Sequence, residues 1–410
     1  MSKIQPFNAL RPAENFAAGV ASRPYDVLNR EEAKSEAAEK PASFLHITKS
    51  EIDLPESVDI HDKAVYEKAK ENLKAFIDNH ILIREEKPAY YIYQLIMNGK
   101  SQTGLVAVSS VDDYENDIIK KHEFTRPEKE QDRINHITIT GAQTGNVFLA
   151  YRDVPELNQL IGDWKHQHSP VYDFVADDGI RHTVWLVDSD QTVMEITTIF
   201  ENKVPETYIA DGHHRAASAA KVRKQLGTDK TPAADYFLTT LFPASELQIL
   251  DYNRVVKDLN GLSIEGFLAK LAENFTVTSS ASPVKPAAMH HIGLYINHQW
   301  YELVAKPGTF DGNDPVGVLD ISVLQKNVLG PLLGIQDQRT DKRIDFVGGI
   351  RGLEGLTARV DSGEMVLAFS LYPVGIEQLF AIADSGNVMP PKSTWFEPKL
   401  RDGLLTHLIR

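Results

Sequence analysis

The chain has 410 residues, carries a formal net charge of -14 and contains no cysteine. Because this length exceeds what one hydrophobic core usually organises, we expect two or three domains. The absence of cysteine excludes disulfides, thiolate metal ligands and a cysteine nucleophile. The acidic net charge argues against a nucleic-acid partner, since proteins that bind nucleic acids usually present a basic face. It is compatible with small anionic ligands.

No apolar run approaches the roughly 20 residues that a membrane-spanning helix needs. The first residues, MSKIQPFNALRPAENF, lack the basic start and apolar core of a secretory signal. Hydrophobic residues make up 42% of the chain and charged residues 24%, which is typical of a globular protein. We therefore expect a cytoplasmic protein with small-molecule substrates and no membrane partner. A homo-oligomer is compatible with the sequence.

The first predicted helix follows the loop VASRPYDVLN. Asn29 can cap this helix, and Glu32 is the matching acid of a capping box. Arg23, Tyr25 and Asp26 come just before the cap. Their loop is either a structural turn or a contact to a ligand.

The next predicted elements are an amphipathic helix and a hairpin. The apolar stripe of the helix consists of Val65, Tyr66, Ala69, Leu73, Phe76 and Ile77. In AYYIYQLIMNGKSQTGLVAVSS, Asn98 and Gly99 predict a type I′ turn, because both central residues of that turn need a positive φ. Further strands are predicted in GNVFLAY, HTVWLVD, DYFLTTLF, QILDYN, HIGLYI and MVLAFSLYP. Helical patterns separate them, which predicts an α+β fold with mixed sheets and packed helices.

We place domain boundaries near residues 175 and 255. This division gives an N-terminal α+β domain over residues 1–175, a phosphate-binding subdomain over residues 176–255 and a C-terminal α+β domain over residues 256–410.

The segment ETYIADGHHRAASAAKVRKQLG predicts a short buried strand that runs directly into a helix. Asp211 can cap the helix, and Gly212 permits a tight turn or the close approach of a ligand. Arg215 falls in the first turn, where the positive end of the helix disfavours a cation.

Two interpretations of this turn remain. In the first, the helix N-terminus, His213, His214 and Arg215 together hold an anion, for which phosphate is the obvious candidate. In the second, Arg215 pairs with a carboxylate while the histidines pack or face water.

Charged residues are dense in IIKKHEFTRPEKEQDRINH. His122 and Glu123 follow a short apolar pair, which predicts a strand end entering a loop, where catalytic groups are often displayed. A carboxylate among cations can accept a hydroxyl proton, so Glu123 is a candidate base. Lys129 and Arg133 have the spacing to share one helical face and hold a phosphate or a substrate carboxylate. The alternative is a solvated helical face.

Near the end of the chain, MPPKSTWFEPKLRDG groups Lys392, Ser393, Thr394 and Lys399 among prolines, and the first three are the candidate contacts. The segment is not a Walker loop, because the glycines that would cradle phosphates are missing. Two interpretations compete. One is a rigid C-terminal loop, and the other is a preorganised loop that faces a phosphate.

The stretch YIADGHHRAASA resembles the signature of the family known as domain of unknown function 1015. Further motifs that fit this family, in the same order, are FNALRP, VASRPYDVLNREEA, HEFTRPEKEQDR, DGIRHTVWLV and MPPKSTWFEPKLRDGL. The resemblance covers nearly the whole chain. The family in turn resembles the ParB/sulfiredoxin-like superfamily, which includes free-serine kinases with the same Asp-Gly-His-His-Arg turn. The resemblance therefore implies a ParB/sulfiredoxin-like subdomain over residues 176–255.

What the resemblance implies is a role in serine metabolism, as a phosphotransferase acting between a phosphoanhydride and free L-serine, or in reverse on phosphoserine. The donor would be ATP, ADP or pyrophosphate, and Mg²⁺ would bridge its phosphate oxygens. The sequence does not identify protein ligands for the Mg²⁺. From the resemblance only Asp211, Gly212, His213, His214 and Arg215 carry over directly, whereas Glu123 is chosen as the base from its own surroundings. The catalytic residues would be Glu123, Asp211 and His214. The phosphate-binding residues would be Gly212, His213, Arg215, Lys392, Ser393 and Thr394. The substrate-binding residues would be His122, Arg126, Lys129 and Arg133.

Two other functions remain as alternatives. A phosphohydrolase would use water in place of serine. A non-enzymatic nucleotide- or DNA-binding module of the ParB-like kind is disfavoured by the acidic balance and by the lack of a recognisable recognition helix.

Overall fold

The computed structural model describes all 410 residues, from Met1 to Arg410. The chain forms two compact units, of which the first comprises residues 1–247 and 398–410 and the second comprises residues 248–397. None of its helices combines the length and the apolar character needed to cross a membrane.

The strands, in chain order, are β1 (Ile4–Gln5), β2 (Leu10–Pro12), β3 (Leu82–Arg84), β4 (Tyr90–Met97), β5 (Lys100–Ser110), β6 (Ile119–Lys120), β7 (Ala142–Gln143), β8 (Val147–Tyr151), β9 (Tyr172–Val175), β10 (Arg181–Val187), β11 (Thr207–Asp211), β12 (Tyr236–Pro243), β13 (Ile249–Leu250), β14 (Tyr252–Val256), β15 (Phe275–Ser280), β16 (His291–Ile296), β17 (Gln299–Ala305), β18 (Ile344–Gly348), β19 (Leu367–Ser370), β20 (Trp395–Phe396) and β21 (His407–Leu408).

The α-helices, in chain order, are α1 (Ala17–Val20), α2 (Arg30–Ala37), α3 (Leu45–Thr48), α4 (Lys63–Asp78), α5 (Val111–Glu115), α6 (Pro127–Thr140), α7 (Pro155–Gln167), α8 (Asp190–Lys203), α9 (His213–Leu226), α10 (Ile264–Asn274), α11 (Asp320–Leu324), α12 (Glu354–Asp361) and α13 (Ile376–Asp384). Short 3₁₀ turns connect several of them, and a π-helical turn follows α11.

The first unit is built on a nine-stranded mixed sheet. Eight strands follow the order β6-β11-β8-β12-β5-β4-β10-β9, and β1 pairs with β5. Two neighbouring pairs are parallel, β6 with β11 and β8 with β12, while the other pairs are antiparallel. Leu149 and Phe237 of this sheet pack with Trp164 of α7 and Phe200 of α8 in one buried apolar cluster.

Local sequence signals account for several of these elements. Asn98 and Gly99 join β4 to β5 with φ values of 52° and 78°, as the type I′ prediction requires. Asn29 and Glu32 form the predicted capping box of α2. The apolar stripe of α4 is buried as predicted, apart from the exposed Ile77.

The second unit contains a six-stranded antiparallel sheet in the order β15-β17-β16-β19-β14-β18. Helix α12 lies on this sheet, where Leu356 packs with Val255, Tyr295 and Trp300. With its helices and mixed sheets, the chain confirms the predicted α+β fold class.

The compact units differ from the predicted three-part division. Residue 175 is not a boundary between units, because β9 and β10 lie on either side of it and pair with each other in the same sheet. Residues 176–247 therefore share the nine-stranded sheet with the N-terminal residues. The second unit begins at Gln248, near the predicted boundary at 255, and the chain returns to the first unit at Pro398. Local patterns do not reveal which sheet a strand joins.

Gly403 lets the returning segment pass close to Phe44. Its φ is 89°, and a Cβ atom there would lie 2.6 Å from Cγ of the buried Phe44 ring.

Gly403→Ala combines left-handed backbone strain with overpacking, so we expect a loss of about 2–4 kcal/mol in the free energy of unfolding of the first unit. Gly99→Ala, with a similar φ and open space around it, should lose only about 1 kcal/mol. Urea unfolding of both variants measures the difference, and equal losses would contradict the close approach to Phe44.

Candidate functional site

The carboxyl ends of β6 and β11 lie side by side, because these two strands are parallel neighbours. Strand β11 ends at Asp211, and α9 begins at His213. Strand β6 ends at Lys120 and leads into residues 121–126, which we call the His122 loop. Ligand sites of open sheets with parallel strands commonly lie at such carboxyl ends.

Gly212 makes the turn between β11 and α9. Its φ is 99°, and a Cβ atom there would lie 3.0 Å from Nε of Arg215. Glycine is therefore needed both for the left-handed backbone and for the space that the Arg215 side chain occupies. The N-cap of α9 is Gly212, which has no side chain to cap the helix, and not the predicted Asp211. The Asp211 carboxylate faces Arg215 and Lys399.

Arg215 lies in the interior, with only 7% of its surface exposed. Its Nη1 donates a hydrogen bond to the carbonyl oxygen of Asn146. Its Nη2 lies 3.5 Å from Oδ1 of Asp211 and 3.7 Å from Oδ2 of Asp26. Burial opposes the charge of Arg215, but the carboxylates of Asp26 and Asp211 raise its pKa above the ordinary value. Arg215 therefore pairs with carboxylates, as the second interpretation of the turn proposes.

The C-terminal segment of the first unit adds two charged residues beside this turn. Nζ of Lys399 donates to Oδ2 of Asp211 at 2.9 Å. Asp402 is 2% exposed, and burial raises its pKa to about 7 while the charge of Arg215 opposes that rise. The backbone of Asp402 exchanges two hydrogen bonds with Ser22. The sequence motif PKLRDG contains both residues, but the sequence alone assigned no role to Lys399 or Asp402.

His213 and His122 pack against each other away from solvent. Their ring centroids are 4.6 Å apart in an edge-to-face arrangement, and the backbone N–H of His122 donates a long hydrogen bond of 3.5 Å to Nε2 of His213. Burial lowers the pKa of His122 to about 4 and that of His213 well below its ordinary value. The predicted roles of His122 in substrate binding and of His213 in phosphate binding need exposed rings. Both rings are buried, so they hold the His122 loop to the start of α9 instead.

His214 is the half-exposed histidine of the turn. Its Nε2 accepts a hydrogen bond of 2.9 Å from the backbone N–H of Arg126. Because a backbone N–H can only donate, Nε2 carries no proton, and the neutral ring has its proton on Nδ1. Burial, helped by the charge of Lys129, lowers the pKa of His214 to about 4. At neutral pH the ring is therefore an uncharged N–H donor.

The His122 loop is attached at both ends, by His213 near its start and by His214 at Arg126. Glu123, the predicted base, is half exposed in this loop, and the Phe124 that follows it is exposed. The side chain of Arg126 is exposed where α6 begins. The loop therefore carries an acid, an aromatic ring and a cation between two fixed points.

The predicted pair of cations on α6 is divided between surface and interior. Lys129 is exposed, whereas Arg133 is buried. Arg133 donates two hydrogen bonds to Asp132, at 2.9 and 2.6 Å, and its guanidinium lies 3.8 Å from the centroid of the Tyr25 ring. Arg133 is therefore not placed to bind substrate as predicted, because its guanidinium group contacts Asp132 and Tyr25 inside the first unit.

A cavity of about 20 Å³ lies beside these buried groups, lined in part by Arg133, His136 and Arg215. This volume is sufficient for one water molecule but not for a phosphate group. The buried side of Arg215 therefore does not provide the predicted phosphate site.

No group of three or more histidine, aspartate or glutamate side chains is arranged to hold a metal ion. The nearest carboxylates face cations of the protein, since Asp211 lies against Arg215 and Lys399, and Asp26 lies near Arg215. The residues of this site therefore do not form a ligand set for the predicted Mg²⁺.

The remaining predicted contacts, Lys392, Ser393 and Thr394, belong to the second unit. Arg254, which is 1% exposed, donates to the carbonyl oxygens of Pro391 and Lys392 at 3.0 and 2.9 Å. The hydroxyl group of Ser393 donates to a carbonyl of the same loop at 2.7 Å. These bonds agree with the interpretation of the segment as a rigid loop.

A family model described as "Protein of unknown function (DUF1015)" matches residues 4–322. The chain belongs to this family. Lys399 and Asp402 therefore lie beyond the matched residues. No curated protein matches this DUF1015 chain.

Three solved structures are similar to this DUF1015 chain. A conserved hypothetical protein from Pyrococcus furiosus is 15% identical, with 74% of this chain and 94% of the other covered and a TM-score of 0.36. A free serine kinase in complex with AMP is 13% identical, with 74% and 91% covered and a TM-score of 0.37. SbnI with a C-terminal truncation, from Staphylococcus aureus, is 12% identical, with 74% and 87% covered and a TM-score of 0.41. Scores this low do not identify a function.

Arg215→Ala should destabilise the first unit of this DUF1015 protein by about 3–5 kcal/mol, because it removes a buried side chain from the interior and takes the cation away from the buried Asp402. Arg223→Ala is the matched control on the same helix. Arg223 also contacts acids, but its pairs are closer to solvent, so the loss should be about 1 kcal/mol. Thermal and urea unfolding measure both variants. An Arg215→Ala protein as stable as the parent would show that the carboxylates do not depend on this guanidinium.

The pH dependence of stability tests the neutral histidines. Because the folded-state pKa of His122, about 4, lies below its ordinary value of 6.5, the stability it contributes is complete above pH 6.5 and is lost as the pH falls toward 4. We expect the melting temperature of the His122→Asn variant to fall less steeply over this range than that of the parent. Comparing the two proteins removes the opposite contribution of Asp402, whose pKa is raised. Parallel curves would contradict a neutral His122.

Proposed function

We propose that this protein transfers a phosphoryl group between a phosphoanhydride donor and the hydroxyl group of free L-serine. One observation carries the proposal. The turn from Asp211 to Arg215 and the His122 loop meet at the carboxyl ends of β6 and β11, with Glu123 and His214 half exposed. The sequence of this turn resembles that of free-serine kinases, which supports a phosphate-handling role.

Glu123 serves as the general base in this proposal. Its carboxylate accepts the proton of the serine hydroxyl as the oxygen attacks the terminal phosphorus. A new oxygen–phosphorus bond forms, and the bond from phosphorus to the bridging oxygen of the anhydride breaks. The shortened phosphate leaves with that electron pair. The reverse sequence of events converts phosphoserine into free serine and an anhydride.

The groups within reach of solvent bind the donor. His214 offers its Nδ1–H as a neutral donor to a phosphate oxygen, and Arg126 and Lys129 supply positive charge from the exposed start of α6. Asp211 is also half exposed, and its pairing with Lys399 holds that lysine beside the turn. Arg215 acts indirectly in this scheme, as a positioning residue whose ion pairs fix the turn.

The direct test is to incubate the full-length protein with L-serine and ATP, ADP or pyrophosphate in turn, and to follow the products by phosphorus NMR. We expect phosphoserine to form with one or more donors, and phosphoserine to be consumed when the corresponding acceptor is supplied. Orthophosphate formed without any need for serine would replace the proposal with a phosphohydrolase. No turnover with any of the donors, in either direction, would contradict it.

Glu123→Gln should lower kcat for phosphoserine formation at least 100-fold while changing donor affinity by less than about threefold, because a positioned base acts mainly on the transition state. Glu128→Gln, an exposed glutamate in the first turn of α6, should retain near-parental kcat. Steady-state kinetics and donor-binding titrations measure the two effects. A Glu123→Gln enzyme with normal kcat would exclude Glu123 as the base.

A further inference from the structure

Phe124 is the most exposed large hydrophobic residue of the chain, with 69% of its surface accessible. The other exposed large hydrophobic residues are aliphatic or methionine, so Phe124 is the one aromatic residue of this set. It directly follows Glu123, the residue assigned above as the base. Planar ligands, such as nucleic-acid bases, bind by stacking on an aromatic ring of this kind.

The His122 loop holds this ring in a defined place. Its start is bonded to His213, its last residue, Arg126, is bonded to His214, and the hydroxyl group of Thr125 donates to Glu130 of α6. Consecutive Cα atoms are about 3.8 Å apart, so Phe124 is no more than about 8 Å along the backbone from either anchored residue, His122 or Arg126. The ring therefore stays close to the turn of α9.

The charge on either side of the ring indicates what kind of planar ligand fits. Arg126 and Lys129 are exposed just beyond Phe124, and His214 provides a neutral donor at the same loop. An apolar face next to groups that bind anions matches a molecule with a flat apolar part joined to phosphates. Inorganic pyrophosphate has no part that would use the ring.

We infer that Phe124 stacks on the base of a nucleotide, and that the phosphoanhydride donor of this site is a nucleoside phosphate. This inference rests on the function proposed above and selects among its donors. The base covers the exposed face of Phe124, while the phosphates lie toward the turn of α9 and the start of α6.

Binding measurements with AMP and with pyrophosphate test this inference apart from catalysis. Phe124→Ala should weaken AMP binding about 10-fold, within the range measured for loss of one stacked base, and should change pyrophosphate binding by less than about twofold. Phe124→Trp keeps an aromatic face and should retain AMP binding. Met194→Ala removes another exposed apolar side chain of the first unit and should change neither affinity.

Each result bears on the inference. Equal AMP affinity in the parent and in Phe124→Ala, or no AMP binding by the parent, would overturn it. If pyrophosphate binds and supports phosphoserine formation while AMP does not bind, the stacking inference fails and the phosphotransferase proposal stands. If AMP binds in a manner that depends on Phe124 but no donor yields phosphoserine, the proposed reaction fails and the nucleotide site stands. An unchanged melting temperature of Phe124→Ala shows that the fold is intact.

Discussion

The guanidinium group of Arg215 lies where segments far apart in the sequence meet. Asp211 of the same turn, Asp26 near the N-terminus and Asp402 near the C-terminus surround it, and the carbonyl of Asn146 accepts one of its hydrogen bonds. A buried charge is costly unless it is paired and hydrogen-bonded, so these segments must adopt matching positions for the first unit to fold. The position of the turn at the end of β11 follows from that requirement.

This arrangement divides the residues of the site into two groups. The buried residues, among them Arg215 and His213, are engaged with the protein and fix the backbone. The accessible residues, Glu123, His214 and Phe124, lie on or beside the loop that the buried residues hold. In the proposed phosphoryl transfer, the accessible residues are therefore the ones that contact the substrates. Most residues of the Asp-Gly-His-His-Arg motif therefore fix the backbone of the site and do not reach its surface.

Features that depend on short-range rules could be predicted from the sequence. The turn at Asn98 and Gly99 requires two positive φ values, and the capping box of Asn29 and Glu32 satisfies backbone groups within one turn of helix. The domain division could not be predicted in the same way. Strand β10 pairs with β4 and β9, and nothing in its local pattern states that these partners belong to one sheet. Pairings between distant strands depend on the complete fold.

The sequence by itself determined the α+β class, the order of the motifs and the strand-to-helix turn at Gly212, because backbone preferences and apolar periodicity act locally. Only the tertiary structure decided which polar residues remain accessible. Lys129 and Arg133 have the spacing of one helical face, yet the Tyr25 ring covers Arg133 and leaves Lys129 in solvent. Burial depends on what other segments bring to a surface, and those segments are distant in the chain.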